Sequence, residues 1–245
     1  MPDVRRDDAG QDPDDTAYSQ MLRPGIRLSN GGPDQEEWLT TSGVPVKGRD
    51  GEKYVTVSAH GFPGPAASKE VWHPNRKSGK KIGTMIKVLA GTDIGLMRLE
   101  SGSRYATVLF SHPEFGAPAL TSLKPVKEVK VHDVLSLDSP FSGRCDGYAI
   151  AIQWARLPDG TQNASGGHWI HSVWTEFDEG TREMMNGTCG SAIFDEEKRV
   201  VAFYNLAGED GHAYAIAAGS YRLVYSSVVI KPCRAATSLE NQGAP

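Results

Sequence analysis

Apolar positions along the chain fall in short runs, not in one long helical stripe. The first runs are Tyr54 to Ser58 (YVTVS), Thr84 to Ala90 (TMIKVLA), Ile94 to Leu99 (IGLMRL) and Tyr105 to Phe110 (YATVLF). Val126 to His132 (VKEVKVH), Gly147 to Ala155 (GYAIAIQWA) and His168 to Thr175 (HWIHSVWT) follow. Ser191 to Phe194, Arg199 to Leu206 and Ala213 to Ala218 complete the series. These runs are rich in β-branched and aromatic residues. Turn clusters such as HPNRKSGKK and LPDGTQNASGG bound them, so each predicts a strand. VKEVKVH alternates cleanly and predicts a strand with one wet face. Only SYRLVYSSVVI reads as a short helix, and no internal repeat is present. The pattern predicts an all-β sandwich or barrel.

Composition narrows the class. The 245 residues include 27 Gly and 15 Pro, enough to turn many short strands without making a low-complexity chain. A net charge of -4 argues against a dedicated nucleic-acid binder. No apolar run approaches the roughly 18 residues of a membrane span. The first fifteen residues hold six Asp and two Arg, which predicts a solvated, disordered arm over 1–20. They lack the apolar core of a secretory signal, so the expected compartment is the cytoplasm. Three Cys cannot build a disulfide scaffold, and their odd number leaves at least one thiol free.

Three segments carry candidate chemistry. His60 follows a strand in VTVSAHGF, Asp93 opens one in GTDIGLMRL, and Cys189 sits between glycines in NGTCGSAIFD. A base, an orienting carboxylate and a nucleophile are the roles that acyl transfer requires. Taken singly each has a plainer reading: a structural histidine, a turn aspartate, a small buried cysteine. The glycine frame sets Cys189 apart. Gly187 and Gly190 let the backbone bring the amides of Gly187 and Cys189 onto one point, as an oxyanion hole requires.

In order and context these segments resemble the chymotrypsin-like (trypsin-like) peptidases. VTVSAHGF is similar to the segment around their catalytic His, TDIGLMRL to that around their Asp, and GTCGSAIFD to their nucleophile loop. The resemblance extends over roughly 25–230, with motif-level matches at these three places. It implies two six-stranded antiparallel β-barrels with the active site in the cleft between them. The N-terminal barrel would span 21–120, the C-terminal barrel 121–235, and a flexible tail 236–245. It further implies a Cys189-His60-Asp93 triad that hydrolyses polypeptides through an acyl-enzyme. Cysteine stands where most of the family has serine. The sequence as given fits the cysteine-nucleophile branch typified by picornavirus-like and potyvirus-like proteases; the alternative is a trypsin-like serine peptidase with an engineered Ser-to-Cys exchange at 189. A peptide-binding or partner-regulated module without independent turnover is a further alternative. Thr188 stands where trypsin-type zymogens carry an Asp that pairs with a new N-terminus, so activation by N-terminal insertion is not expected.

The resemblance also points to a substrate pocket drawing on 181–185, 205–208 and 211–214. Glu183, Asn205, Ala207 and His212 are its candidate residues. His212 argues for cleavage after Gln or Glu, and Glu183 for cleavage after Arg or Lys. Cys145 and Cys233 read as reduced bystanders. No cofactor is expected, and no metal site: His168 and His171 have no Cys or carboxylate at ligand spacing. The expected partner is a polypeptide substrate, with neither nucleic acid nor membrane. Nothing in the residues bears on oligomeric state.

Overall fold

The computed structural model describes residues 20–30, 37–48, 52–62, 69–89, 92–111, 116–157, 168–177, 184, 186–207, 213–217 and 231–232. Strands of the first half are β1 (Met21–Leu22), β2 (Arg27–Ser29), β3 (Leu39–Thr41), β4 (Pro45–Lys47), β5 (Lys53–Ser58), β6 (Glu70–His73), β7 (Lys80–Val88), β8 (Ile94–Leu99) and β9 (Arg104–Tyr105). Those of the second are β10 (Ser122–Leu123), β11 (Val134–Ser139), β12 (Gly143–Leu157), β13 (His168–Phe177), β14 (Ala192–Asp195), β15 (Arg199–Ala207), β16 (Ala213–Ala217) and β17 (Lys231–Pro232).

Two barrels result. In the first sheet the order β4-β5-β8-β7-β6-β2-β3 brings both ends back to one stretch of chain. The Gly43 amide donates to the Thr56 carbonyl at 2.8 Å, and the Thr56 amide to the Val44 carbonyl at 3.0 Å. These bonds carry the β4–β5 ladder back toward β3, so the stretch 39–47 pairs with β2 at its start and β5 at its end and closes six strands into a ring. The second sheet closes directly: β15-β14-β11-β12-β13-β16 is completed by the β15–β16 pairing. Short parallel pairs, β1 with β9 and β10 with β15, lie outside the rings, and β17 covers the outer edge of β4.

Three apolar clusters account for the continuous apolar runs. Val55, Val57, Val71, Met85 and Met97 fill the first barrel, and Leu135, Leu137, Val173, Ile193 and Val201 the second. A third cluster draws Tyr54, Ile94 and Leu96 from one barrel and Ala192, Phe194 and Phe203 from the other, so it forms the seam. Side chains of β5, β8 and β14 therefore divide between a barrel interior and the seam, as do those of β15 apart from the neighbours Val201 and Ala202, which both face the second barrel.

One strand expectation fails and a second holds only in part. VKEVKVH begins with a 3-10 turn over Val126–Glu128, not a strand. Pro125 caps the turn, and the Glu128 and Val129 amides donate to the carbonyls of Pro125 and Val126. Val126 packs on the second core and Val129 is buried, a spacing of three that suits this turn, while Val131 is exposed. Beyond it Asp133 accepts from the Lys130 amide, and His132 turns the chain with φ of 70°. YATVLF is strand only at its start, followed by a bridge between Val108 and Ala119. Residues 134–139 form β11, a strand the apolar pattern alone does not single out. The segment 220–230, read as a short helix, lies outside the described residues.

Candidate active site

The acid–base half of the site is built by β5 and β8. These strands pair antiparallel with Ser58 opposite Ile94, which brings the residues just beyond, His60 and Asp93, side by side. The Ala59 amide donates to the Asp93 carbonyl at 2.7 Å and locks that register. His60 Nδ1 lies 2.8 Å from Asp93 Oδ2, and the His60 amide donates to Oδ1 at 2.8 Å. His60 is raised from its ordinary 6.5 to about 10. The hydrogen bond to Asp93 is the main cause and one to Cys189 the next, with burial opposing both.

The nucleophile half is a turn whose glycines are forced. Gly187 has φ of 100° and Gly190 φ of 94°, in the left-handed region that side chains rarely adopt. A Cβ on Gly187 would lie 2.7 Å from the Phe141 ring, and one on Gly190 2.4 Å from the Thr41 carbonyl oxygen. Thr41, from the first barrel, clamps the turn: its amide donates to the Cys189 carbonyl at 2.9 Å and its hydroxyl to the Gly187 carbonyl at 2.8 Å. From within the second barrel the Gly190 amide donates to the Tyr204 carbonyl at 2.9 Å. Thr188 is fully buried, and its hydroxyl lies 2.6 Å from that of Ser142. Ser139 Oγ in turn accepts from the Ser142 amide at 2.9 Å. The Cys189 thiol donates to the Asn205 carbonyl at 3.0 Å. Neither the Gly187 nor the Cys189 amide meets an acceptor among the described residues.

Thus His60, Asp93, Cys189, Gly187 and Asn205 are brought together. Asn205 is buried, and its backbone carbonyl is the group that touches the thiol. Ala207 ends β15 beyond it. Glu183, His212 and Cys233 lie outside the described residues. Cys145 is buried, and its thiol donates to the Ser142 carbonyl at 3.6 Å. No group of metal-ligating residues occurs among the described residues, and no helix among them is long and apolar enough to cross a membrane. Ser58, Thr41, Ser139 and Ser142 are site residues the sequence reading misses. Ser58 carries only a weak signal, as the polar residue that ends β5 two positions before His60. Thr41 and the two serines carry none, because only folding brings them to the turn.

No protein-family model matches the sequence, and no curated protein matches it. Solved structures do match in fold. A glutamic acid-specific serine protease that uses a histidine triad in substrate binding aligns with a TM-score of 0.59 at 14% identity, over 86% of this chain and 100% of its own. Thermobifida fusca protease A aligns at 0.57 with 12% identity, over 89% and 100%. A Nocardiopsis protease aligns at 0.55 with 12% identity, over 82% and 92%. The fold is that of the chymotrypsin-like serine proteases.

Proposed function

We propose that the chain is an endopeptidase with Cys189 as nucleophile, His60 as general acid and base, and Asp93 as the orienting carboxylate. The observation that carries this reading is the meeting of two independently built halves. A histidine bound through Nδ1 to a half-buried carboxylate follows the strand against which the glycine-framed turn of Cys189 packs.

In the first step Sγ attacks the scissile carbonyl, and His60 holds the proton the thiol gives up. The carbonyl electron pair moves to oxygen, where the open amides of Gly187 and Cys189 receive it. One such donor contributes roughly 3–4 kcal/mol of barrier lowering. Collapse of the intermediate breaks the C–N bond, and His60 passes its proton to the departing amine. Water then attacks the thioester with His60 as base, and Cys189 leaves with the acid product released. Asp93 keeps the imidazole in the Nδ1–H form throughout.

Polypeptide is the substrate class that the fold and this chemistry support. A thiol nucleophile works only while reduced, which fits the cytoplasm. Incubation with a diverse peptide library, read by mass spectrometry, tests the activity and returns the cleavage preference. His212 favours cuts after Gln or Glu, and Glu183 cuts after Arg or Lys. Cys189→Ala is expected to stay folded and to abolish cleavage. Retained turnover in that variant would sink the assignment, and binding without cleavage by the unaltered chain would favour a peptide-binding module.

A further inference from the structure

Asp93 draws all of its side-chain partners among the described residues from one short stretch of the first barrel. Oδ1 accepts from the His60 amide, and Oδ2 accepts from His60 Nδ1 at 2.8 Å. The remaining partner of Oδ2 is the Ser58 hydroxyl, at 2.6 Å, the shortest of the three contacts. Ser58 is 2% exposed, so its hydroxyl is shielded from solvent on its own side of the bond. A hydroxyl has one hydrogen, and at 2.6 Å from a carboxylate it is committed there, in a charge-assisted bond. Ser58 Oγ also lies 3.0 Å from His60 Nδ1, so it touches both members of the pair.

Its backbone faces the other half of the site. A Cβ built on Gly190 would come 3.1 Å from the Ser58 nitrogen and 3.5 Å from its Cβ. The turn that carries Cys189 therefore packs directly on Ser58. This one residue meets the carboxylate, the imidazole and the residue after the nucleophile.

We infer that Ser58 is a positioning residue of the proposed triad, its hydroxyl fixing the Asp93 carboxylate against His60 and drawing off part of the charge the imidazole feels. The inference rests on the peptidase reading above. Its physical content is a balance at Oδ2, because a second donor there weakens the hold of the carboxylate on the imidazolium proton. Among the described residues two titratable groups act on His60, Asp93 and Cys189. Tyr204, beside Cys189, is pushed upward by burial and remains a neutral phenol.

The test is the pH profile of Ser58→Ala. Two readouts are taken on the full chain: kcat/KM on a cleaved peptide, and the rate at which iodoacetamide alkylates Cys189. Loss of the hydroxyl is expected to move the alkaline limb of both profiles upward by about half a unit to one unit. It is expected to lower kcat about tenfold with KM little changed. Ser58→Thr, which keeps Oγ, is expected to restore the limb, and thermal unfolding of each variant checks that it is folded. A residue that only filled space in the seam would alter the unfolding midpoint and leave the limb in place. A limb that stays put or moves downward in folded Ser58→Ala overturns the inference. The alkylation arm reads the same balance whether or not a peptide is cut, so failure of the peptidase reading is told apart from failure of the role given to Ser58.

Discussion

Two histidines of this chain sit in opposite electrostatic settings. His60 has a carboxylate at 2.8 Å and is raised to about 10. His73 is fully buried on β6, with Nδ1 donating to the Arg27 carbonyl at 2.7 Å, and burial lowers it from 6.5 to about 4. His73 folds neutral and resists protonation, so its contribution to stability is complete above pH 6.5 and is lost as pH falls through 4. The loss is expected to reach on the order of 3 kcal/mol. Urea midpoints of the native chain and of His73→Asn between pH 7 and 4 check this, the variant losing less on acidification. For His60 the sign reverses: protonation stabilises the fold below 6.5, and that benefit fades as pH rises through about 10. At this scale His60, Asp93 and Cys189 are legible in the sequence because each sits in a short local motif. His73 is not, since its lowered value comes entirely from what folds around it.

Among the elements, the nucleophile turn shows how a missing interaction is replaced. Thr188 stands where an aspartate would bind a new N-terminus, and the turn is held instead by the buried hydroxyls of Thr188 and Ser142 with the Thr41 clamp. We therefore propose that the turn is formed without N-terminal insertion. Removal of residues 1–20 is expected to leave peptide cleavage within about twofold, and activity that appears only after trimming would refute it. Thr188→Val keeps the shape and removes the hydroxyl bond at a dry site. It is expected to cost about 1–3 kcal/mol of stability, read by chemical denaturation, and to lower kcat more than KM. The strands β5, β7, β8 and β12 to β16 are readable from their β-branched and aromatic runs, whereas β11 and the short strands β1 to β4, β6 and β10 are not. VKEVKVH is not a strand: Val129 and Val131 keep a period of two, but Val126 and Val129 keep the spacing of three that suits a turn. Pro125 and the Asp133 clamp on the Lys130 amide decide for the turn.

The whole molecule is two closed barrels held across one apolar seam, and the candidate site lies where the seam is bridged. Phe194 belongs to the second barrel yet packs in the cluster that includes Val46, Tyr54 and Leu96 of the first, and it is fully buried. Phe194→Ala is expected to destabilise by about 3–5 kcal/mol, read from the urea midpoint, and to slow cleavage by loosening the register between His60 and Cys189. Strand content, turn density and the three chemical segments follow from the order of residues, because strand propensity, turn chemistry and glycine frames act over a few neighbours. Closure of each barrel, the cross-seam clamp from Thr41 and the hydroxyl that Ser58 places on Asp93 do not. Those depend on which strands meet, and that is decided by burying apolar faces from both barrels in one seam: a balance over the whole chain that no local stretch encodes alone.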